Sequence, residues 1–177
     1  MPPETPRSAI LKDGRTIALR PLHTGDAAAL AEFYASVPAD DYRFYRAAPL
    51  TGALALAVAA RADSETFVCT AALDEAGQII GYAWYEWKDT DSVASHFGIC
   101  IRRGWQDCGT GFVIASLLME RAQRVGPARM RLTVQTANPR AVALYRKLGF
   151  EIVCEQMRAA NAHFSAEPEY AMERSNR

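Results

Sequence analysis

The stretch "RRGWQDCGTGFVIASLLMERA", Arg102 to Ala122, joins a polar, glycine-rich turn directly to a segment with the apolar pattern of a helix. The first N–H groups of a helix have no partner within the helix, and the helix dipole adds partial positive charge at that end. Such a helix start binds phosphate where small residues let the phosphate approach, and Gly109 and Gly111 provide that access. An ordinary strand-to-helix turn explains the same glycines on spacing alone. Both interpretations stay open at this point.

Two better-known phosphate motifs do not fit this segment. The dinucleotide motif G-x-G-x-x-G would need a glycine where the chain has Ile114. A P-loop would need Gly-Lys followed by Ser or Thr, and that sequence does not occur here. From the residues alone, a nucleotide-phosphate protein of another kind remains an alternative.

Composition limits the class of protein. A chain of 177 residues is long enough for one domain with a sizeable core. It has 20 Lys and Arg against 20 Asp and Glu, so no net charge favours nucleic acid or an anionic membrane. No apolar run approaches the length of a membrane span. We predict a disordered tail over residues 1–12 and a single domain over residues 13–177, with no nucleic-acid or membrane partner.

The cysteines and histidines bear on metals and compartment. The 4 cysteines are scattered, without the C-x-x-C spacing of zinc sites, and the 3 histidines are dispersed. The sequence therefore predicts no metal site. Unpaired thiols suit a reducing cytoplasm, which is the predicted location.

The hydrophobic pattern predicts the order of the elements. It indicates a strand, two helices, three strands, a helix, a strand, a helix and two final strands. Early strands pair as a hairpin, whereas helices and strands alternate later. The predicted fold is an α/β (α+β) architecture, with a mixed central sheet of six or seven strands and about four helices on both faces.

Two motifs together resemble the GNAT acyltransferase superfamily. They are Q-x-x-G-x-G in "QDCGTG", residues 106–111, and the later helix "NPRAVALYRKLGF", residues 138–150. The resemblance covers roughly residues 15 to 155, and "FGICIRRGWQDCGTG" looks like the bacterial lysine-acetyltransferase-like branch. It implies a mostly antiparallel sheet whose fourth and fifth strands splay apart. It also implies acetyl-coenzyme A as co-substrate, a primary amine as acceptor, direct attack in a ternary complex, and a possible homodimer.

The resemblance also implies which residues bind the coenzyme. The turn would hold the pyrophosphate, the strand before it would pair its main chain with the pantetheine, and Asn138 would cap a helix and bond to the pantetheine arm. The full set comprises Ile99, Cys100, Ile101, Gln106, Asp107, Cys108, Gly109, Thr110, Gly111, Phe112, Asn138 and Tyr145. Asp107 departs from the family pattern, because a carboxylate beside a pyrophosphate is unfavourable unless its side chain points outward.

Three residues are candidates for the chemistry. An alkyl ammonium must lose a proton before it can attack a thioester, and the departing thiolate benefits from an acid. Tyr145 matches the family tyrosine that protonates the sulfur, although by its pattern alone it is also an ordinary core tyrosine. His96 stands where the branch has a glutamate and is the candidate base, although a lone strand histidine is more often structural. Glu86 is the substitute base, unless it is only an exposed carboxylate at a hairpin end.

The acceptor side is less defined. The loop between the first two helices lies where the family admits the acceptor, and its acidic and aromatic side chains could bind a cationic amine: Asp40, Asp41, Tyr42 and Tyr45. An ordinary surface loop is the alternative. The acceptor could be a small molecule, a protein lysine or a protein N-terminus. Arg102 and Arg103 could lean toward phosphate.

A non-catalytic acyl-coenzyme A sensor is the alternative function. Asp107 and the missing glutamate favour such a binding domain, whereas the intact Tyr145 favours an enzyme.

Overall fold

A computed structural model describes residues 6–45, 50–88 and 94–176. Within these ranges the strands are β1 (Arg7–Ile10), β2 (Thr16–Pro21), β3 (Phe67–Leu73), β4 (Ile79–Glu86), β5 (Ala94–Ile101), β6 (Arg129–Gln135), β7 (Glu151–Arg158) and β8 (Glu167–Ser175). The α-helices are α1 (Ala27–Ala35), α2 (Gly52–Ala60), α3 (Thr110–Val125) and α4 (Pro139–Lys147), and short 3-10 helices span Thr24–Asp26 and Ala39–Phe44. This order confirms the predicted sequence of elements from β2 onward.

The eight strands form one sheet in the order β1-β2-β3-β4-β5-β6-β8-β7. Every neighbouring pair is antiparallel except β5 and β6. That parallel pairing runs only from Ala94↔Arg129 to His96↔Arg131. Beyond it the described strands make no further pairs and separate toward the turn. The predicted mixed, mostly antiparallel sheet with a splayed pair is therefore confirmed, and the splayed pair is the fifth and sixth strands in this numbering.

The predictions missed the first strand. Arg7 to Ile10 pair with β2 in the register Arg7↔Leu19 to Ile10↔Thr16, and Leu11 is buried. The count of six or seven strands is therefore wrong, and so is the disordered tail over residues 7–12. Residues 1–5 lie outside the described residues. A four-residue strand is held by its partner's main chain rather than by a long alternation of its own, so its pattern is too short to detect.

Helices cover both faces of the sheet. On one face α1 buries Leu30, Phe33 and Tyr34 against β3 and β4, with α2 packed beside it. On the other face α3 buries an apolar stripe that includes Ile114 and Leu118. Each such side chain contributes about 1.5–3 kcal/mol when it leaves water. With helices packed on both faces of the sheet, the gap between β5 and β6 is bordered by α3, α4 and the segment Ala39–Phe44.

Candidate active site

The turn before α3 presents free main-chain donors. Helix α3 follows Gly109, which has a φ of 101° in the left-handed region that glycine adopts without strain. The first helix-type bond runs from the Val113 N–H to the Gly109 carbonyl. Within the described part of the chain, no acceptor bonds to the main-chain N–H groups from Gln106 to Phe112. The turn therefore directs several free N–H groups and the positive end of a helix dipole toward one point.

The β1–β2 hairpin supports this turn from below. The Lys12 N–H donates to the Cys108 carbonyl at 2.9 Å. The Arg15 guanidinium lies 3.8 Å from the centre of the Trp105 ring and donates to the Gly104 carbonyl at 2.7 Å. The hairpin therefore bonds to carbonyl groups of the turn, and the N–H groups of the turn remain available to a ligand.

Gly111 allows close packing rather than the access for phosphate that the sequence predicted, and the directions of the polar side chains keep the turn accessible. A Cβ added to Gly111 would lie 2.9 Å from Ile101 Cδ1 and 3.0 Å from Leu144 Cδ2, so α3 starts in close contact with β5 and α4. Gln106 folds back, and its Nε2 donates to the Ile101 carbonyl at 2.8 Å. The side chain of Asp107 is 72% exposed and lies 3.7 Å from the Arg140 guanidinium. The carboxylate thus points outward and has a cation beside it, the one arrangement in which it does not oppose an anionic ligand.

Cations line the groove that leads away from the turn, and sequence reasoning missed them. Lys12, Arg140 and Lys147 all border this groove, from the β1–β2 turn and from α4. The two arginines considered earlier do not take this role. Arg103 forms a two-point ion pair with Asp41, at 2.8 and 2.7 Å. Arg102 lies 3.4 Å from the Gln78 Oε1.

The groove encloses about 430 Å³ between β5, α3 and α4. The residues assigned to the coenzyme that line it are Ile99, Ile101, Gln106, Asp107, Cys108, Gly109, Gly111, Phe112, Asn138 and Tyr145. Cys100 and Thr110 do not line it. The Cys100 side chain is buried on the α1 face, where burial raises the pKa of its thiol to about 12, and Thr110 Oγ1 lies 3.2 Å from Cys108 Sγ. Asn138 caps α4 as expected, its Oδ1 accepting from the Ala141 N–H at 3.2 Å.

Tyr145 stands at the inner end of the groove. Its ring packs edge-on against Phe97, with centres 6.0 Å apart, and against Phe150 at 5.9 Å. Burial raises the pKa of the phenol well above its usual value, so the hydroxyl keeps its proton. No described residue forms a hydrogen bond with that hydroxyl. A buried, protonated and unbonded hydroxyl is available to donate a proton.

A second cavity, of about 480 Å³, opens from the other side of the sheet. Apolar and aromatic side chains form most of its wall, among them Leu54, Val58, Phe67, Tyr82 and Trp84. The two cavities share five lining residues: Phe44, Tyr45, Ile99, Thr133 and Tyr145. They therefore meet at the gap between the splayed strands.

Both candidate bases lie in this second cavity. Glu86 and His96 face each other across β4 and β5 and point to the same side of the sheet. Glu86 Oε2 lies 2.7 Å from the guanidinium of Arg61, a residue that sequence reasoning missed. His96 is exposed to the cavity.

The segment Ala39–Phe44 and Tyr45 partly match the predicted acceptor loop. Tyr45 lines both cavities, and burial raises the pKa of its phenol. Asp41 borders the coenzyme groove and is occupied by Arg103. Tyr42 packs against the core around α1, and Asp40 borders an outer surface depression, so neither reaches the second cavity.

Comparison with known proteins decides the family. Residues 27–150 match the model of the acetyltransferase (GNAT) family. The chain belongs to the GNAT family. This GNAT chain is 31% identical over 84 residues to the L-methionine sulfoximine/L-methionine sulfone acetyltransferase of Pseudomonas paraeruginosa, a match that covers 46% of the chain. It spans about half, 49%, of that relative.

Solved structures share the GNAT fold. The GNAT domain of PAT from S. lividans superposes with a TM-score of 0.78 at 18% identity, covering 96% of both chains. A phosphinothricin acetyltransferase from Sinorhizobium meliloti, solved with acetyl-coenzyme A, gives a TM-score of 0.75 at 24% identity, covering 90% of this chain and 88% of that one.

Two further findings concern the described residues alone. None of their helices is both long and apolar enough to cross a membrane. No group of three or more His, Cys, Asp or Glu side chains among them is arranged to hold a metal ion.

Proposed function

We propose that this GNAT protein transfers an acetyl group from acetyl-coenzyme A to a primary amine, by direct attack in a ternary complex. One observation carries the proposal. A groove that begins at free helix-start amides and a second cavity that opens on the opposite face meet at Tyr145. Two substrates entering from opposite sides could react there without a covalent enzyme intermediate.

The groove suits the coenzyme chemically. The free N–H groups from Gln106 to Phe112 would bind the pyrophosphate oxygens. Lys12, Arg140 and Lys147 add positive charge near the phosphates. The edge of β5 beyond His96 is not paired with β6, so its main chain can bond to the amides of the pantetheine arm.

The acetyl transfer needs three proton movements. The acceptor ammonium at Tyr145 loses a proton, which passes to His96 through water in the second cavity, since His96 lies at the other end of that cavity. The amine nitrogen then attacks the thioester carbonyl carbon. The carbon–sulfur bond of the tetrahedral intermediate breaks, and Tyr145 gives its proton to the departing thiolate. The Tyr145 phenolate then takes the second proton that the attacking nitrogen loses as it becomes an amide. We assign the base to His96 rather than to Glu86, because Arg61 already holds an oxygen of the Glu86 carboxylate.

The sensor alternative rests on Asp107 and on the missing glutamate, and the position of Asp107 weakens the first of these. The carboxylate of Asp107 belongs to the phosphate turn but points outward toward Arg140. Two of the proteins named above are acetyltransferases of small molecules by name, one of L-methionine sulfoximine and L-methionine sulfone and one of phosphinothricin, which supports a small acceptor. Three buried free thiols, Cys69, Cys100 and Cys108, support a cytoplasmic setting. The homodimer stays a prediction.

An acetyl-transfer screen tests the proposal. The protein is mixed with acetyl-coenzyme A and a panel of primary amines, and both thiol release and acetylated product are measured. We expect release that depends on the amine and equals the product formed. Calorimetric binding of acetyl-coenzyme A without release by any amine would support the sensor instead.

A further inference from the structure

This inference rests on the proposed function and concerns the acceptor. The charged side chains of the second cavity are gathered at one end. Phe67, Glu86 and His96 form a row across β3, β4 and β5. The Arg61 guanidinium lies over this row, 4.4 Å from the centre of the Phe67 ring and 2.7 Å from Glu86 Oε2. Among the described residues that line the cavity, Arg61 and Glu86 carry the charges, with His96 beside them.

The reacting end of the cavity is a different place. Tyr145, Ile99 and Thr133 lie where the cavity meets the coenzyme groove. On β5, Ile99 is three residues beyond His96, which at the rise of a β-strand is roughly 10 Å. An acceptor that reaches both ends therefore carries its reacting amine well away from its charged group.

The floor between the two ends is apolar. Trp84 pairs with Gly98 in the next row, and a Cβ on Gly98 would lie 2.1 Å from the indole, so the ring lies flat over the glycine. Trp84 also stacks on Tyr82, with ring centres 5.3 Å apart. Leu54 and Val58 of α2 form the facing wall. This surface suits a hydrocarbon chain and leaves a polar spacer without partners.

The paired charges select the distal group. A second ammonium alone would be repelled by Arg61, and a carboxylate alone would be repelled by Glu86. A distal group with one carboxylate and one ammonium can bond to both Arg61 and Glu86. The ion pair between these two side chains is then replaced by two ion pairs with the acceptor.

We propose that the acceptor is the distal amine of an amino-acid-like molecule. Its carboxylate binds Arg61, its α-ammonium binds Glu86, and an apolar chain of several carbons runs over Trp84 to place the reacting amine at Tyr145. This assignment separates the protein from polyamine acetyltransferases and from enzymes that acetylate an α-amine.

Four amines that share a five-carbon chain on the reacting nitrogen, apart from any carboxylate carbon, test the proposal: L-lysine, 6-aminohexanoate, cadaverine and n-pentylamine. They carry, respectively, both distal charges, the carboxylate alone, the ammonium alone and neither. We expect kcat/KM for L-lysine to exceed that for n-pentylamine by at least about ten-fold, the factor that a hydrogen bond to a charged group is worth. Mass spectrometry should place the acetyl group on the distal nitrogen.

Variants assign the two contacts. Arg61→Gln should reduce the preference for L-lysine over cadaverine by about ten-fold, and Glu86→Gln should do the same to the preference for L-lysine over 6-aminohexanoate. Each readout is a ratio of kcat/KM values for two acceptors of the same variant. If a variant also lost a catalytic base, both values would fall by the same factor and the ratio would not change. Arg124→Gln, at an exposed position on α3 outside both cavities, is the matched control and should change neither ratio.

Three results would overturn the inference and leave acetyl transfer standing. They are equal kcat/KM for all four amines, a preference for L-methionine sulfone, and acetylation of the α-nitrogen of L-lysine. Ratios that the two variants leave unchanged would also overturn it. Release of thiol with no amine at all would overturn the proposed function and this inference together.

Discussion

Replacing Tyr145 by Phe should separate catalysis from stability. The substitution removes only the hydroxyl, to which no described residue is bonded, and keeps the ring that packs on Phe97 and Phe150. No protein hydrogen bond is lost and no cavity wider than one oxygen is made. We therefore expect the free energy of unfolding to stay the same or to rise by about 1 kcal/mol, because burying an unbonded hydroxyl costs stability.

The effect on turnover should be far larger. A positioned general acid contributes about 10²–10⁴-fold to a rate, so kcat should fall by that factor, which corresponds to roughly 3–5 kcal/mol of barrier. The dissociation constant of acetyl-coenzyme A should stay within about two-fold, since the phosphate contacts lie at the other end of the groove.

Three measurements on the same preparation check this prediction: thiol release at saturating substrates, calorimetric titration with acetyl-coenzyme A, and urea unfolding. Tyr42→Phe is a suitable control, because Tyr42 lies outside both cavities. A Tyr145→Phe protein with wild-type kcat would refute the assignment of the acid. A large loss of stability would instead mean that the hydroxyl has a partner.

Three further outcomes are expected. His96→Ala should lower kcat by about 10²–10⁴-fold, the usual contribution of a positioned general base; an unchanged kcat would exclude His96 as the base. Gly109→Ala puts a side chain at a φ of 101°, which should cost about 1–2 kcal/mol of stability by urea unfolding and weaken coenzyme binding; a value near zero would mean that the turn relaxes freely. Burial raises the pKa of Tyr34 and Tyr82 above the value of about 10 for a phenol in an unfolded chain. The stability that their protonated forms provide is complete below pH 10 and is lost as pH rises further, by about 1.4 kcal/mol per pH unit for each phenol. Unfolding curves between pH 8 and 11 should show this decline, with a smaller slope in Tyr34→Phe; identical slopes would contradict the assignment.

The sequence predicts most elements because their signals are local. Helix α4 has a capping Asn138, Pro139 in its first turn and Gly149 after its end, and each of these acts within a few residues. The turn before α3 is visible for the same reason. Strand β1 is invisible because its four residues depend on β2 for all their pairing.

The site is predicted only where it follows a motif. Lys12 and Lys147 reach the groove from elements far apart in the chain, so no spacing connects them with the turn. Arg61 comes to Glu86 from the end of α2 across a layer of the fold. The outward direction of Asp107 depends on its left-handed φ of 62°, a conformation that a sequence pattern does not specify for aspartate.

The contacts between the β1–β2 hairpin and the phosphate turn matter for the design of truncated forms of the protein. Residues 27–150 are the part by which the family is identified, and they include every motif residue. Lys12 and Arg15, which brace the turn through Cys108 and Trp105, lie upstream of that boundary. A fragment that consists of residues 27–150 would keep every motif residue and lose the hairpin contacts that support the turn. The range of the family match is therefore a poor guide to the smallest functional fragment of this enzyme fold.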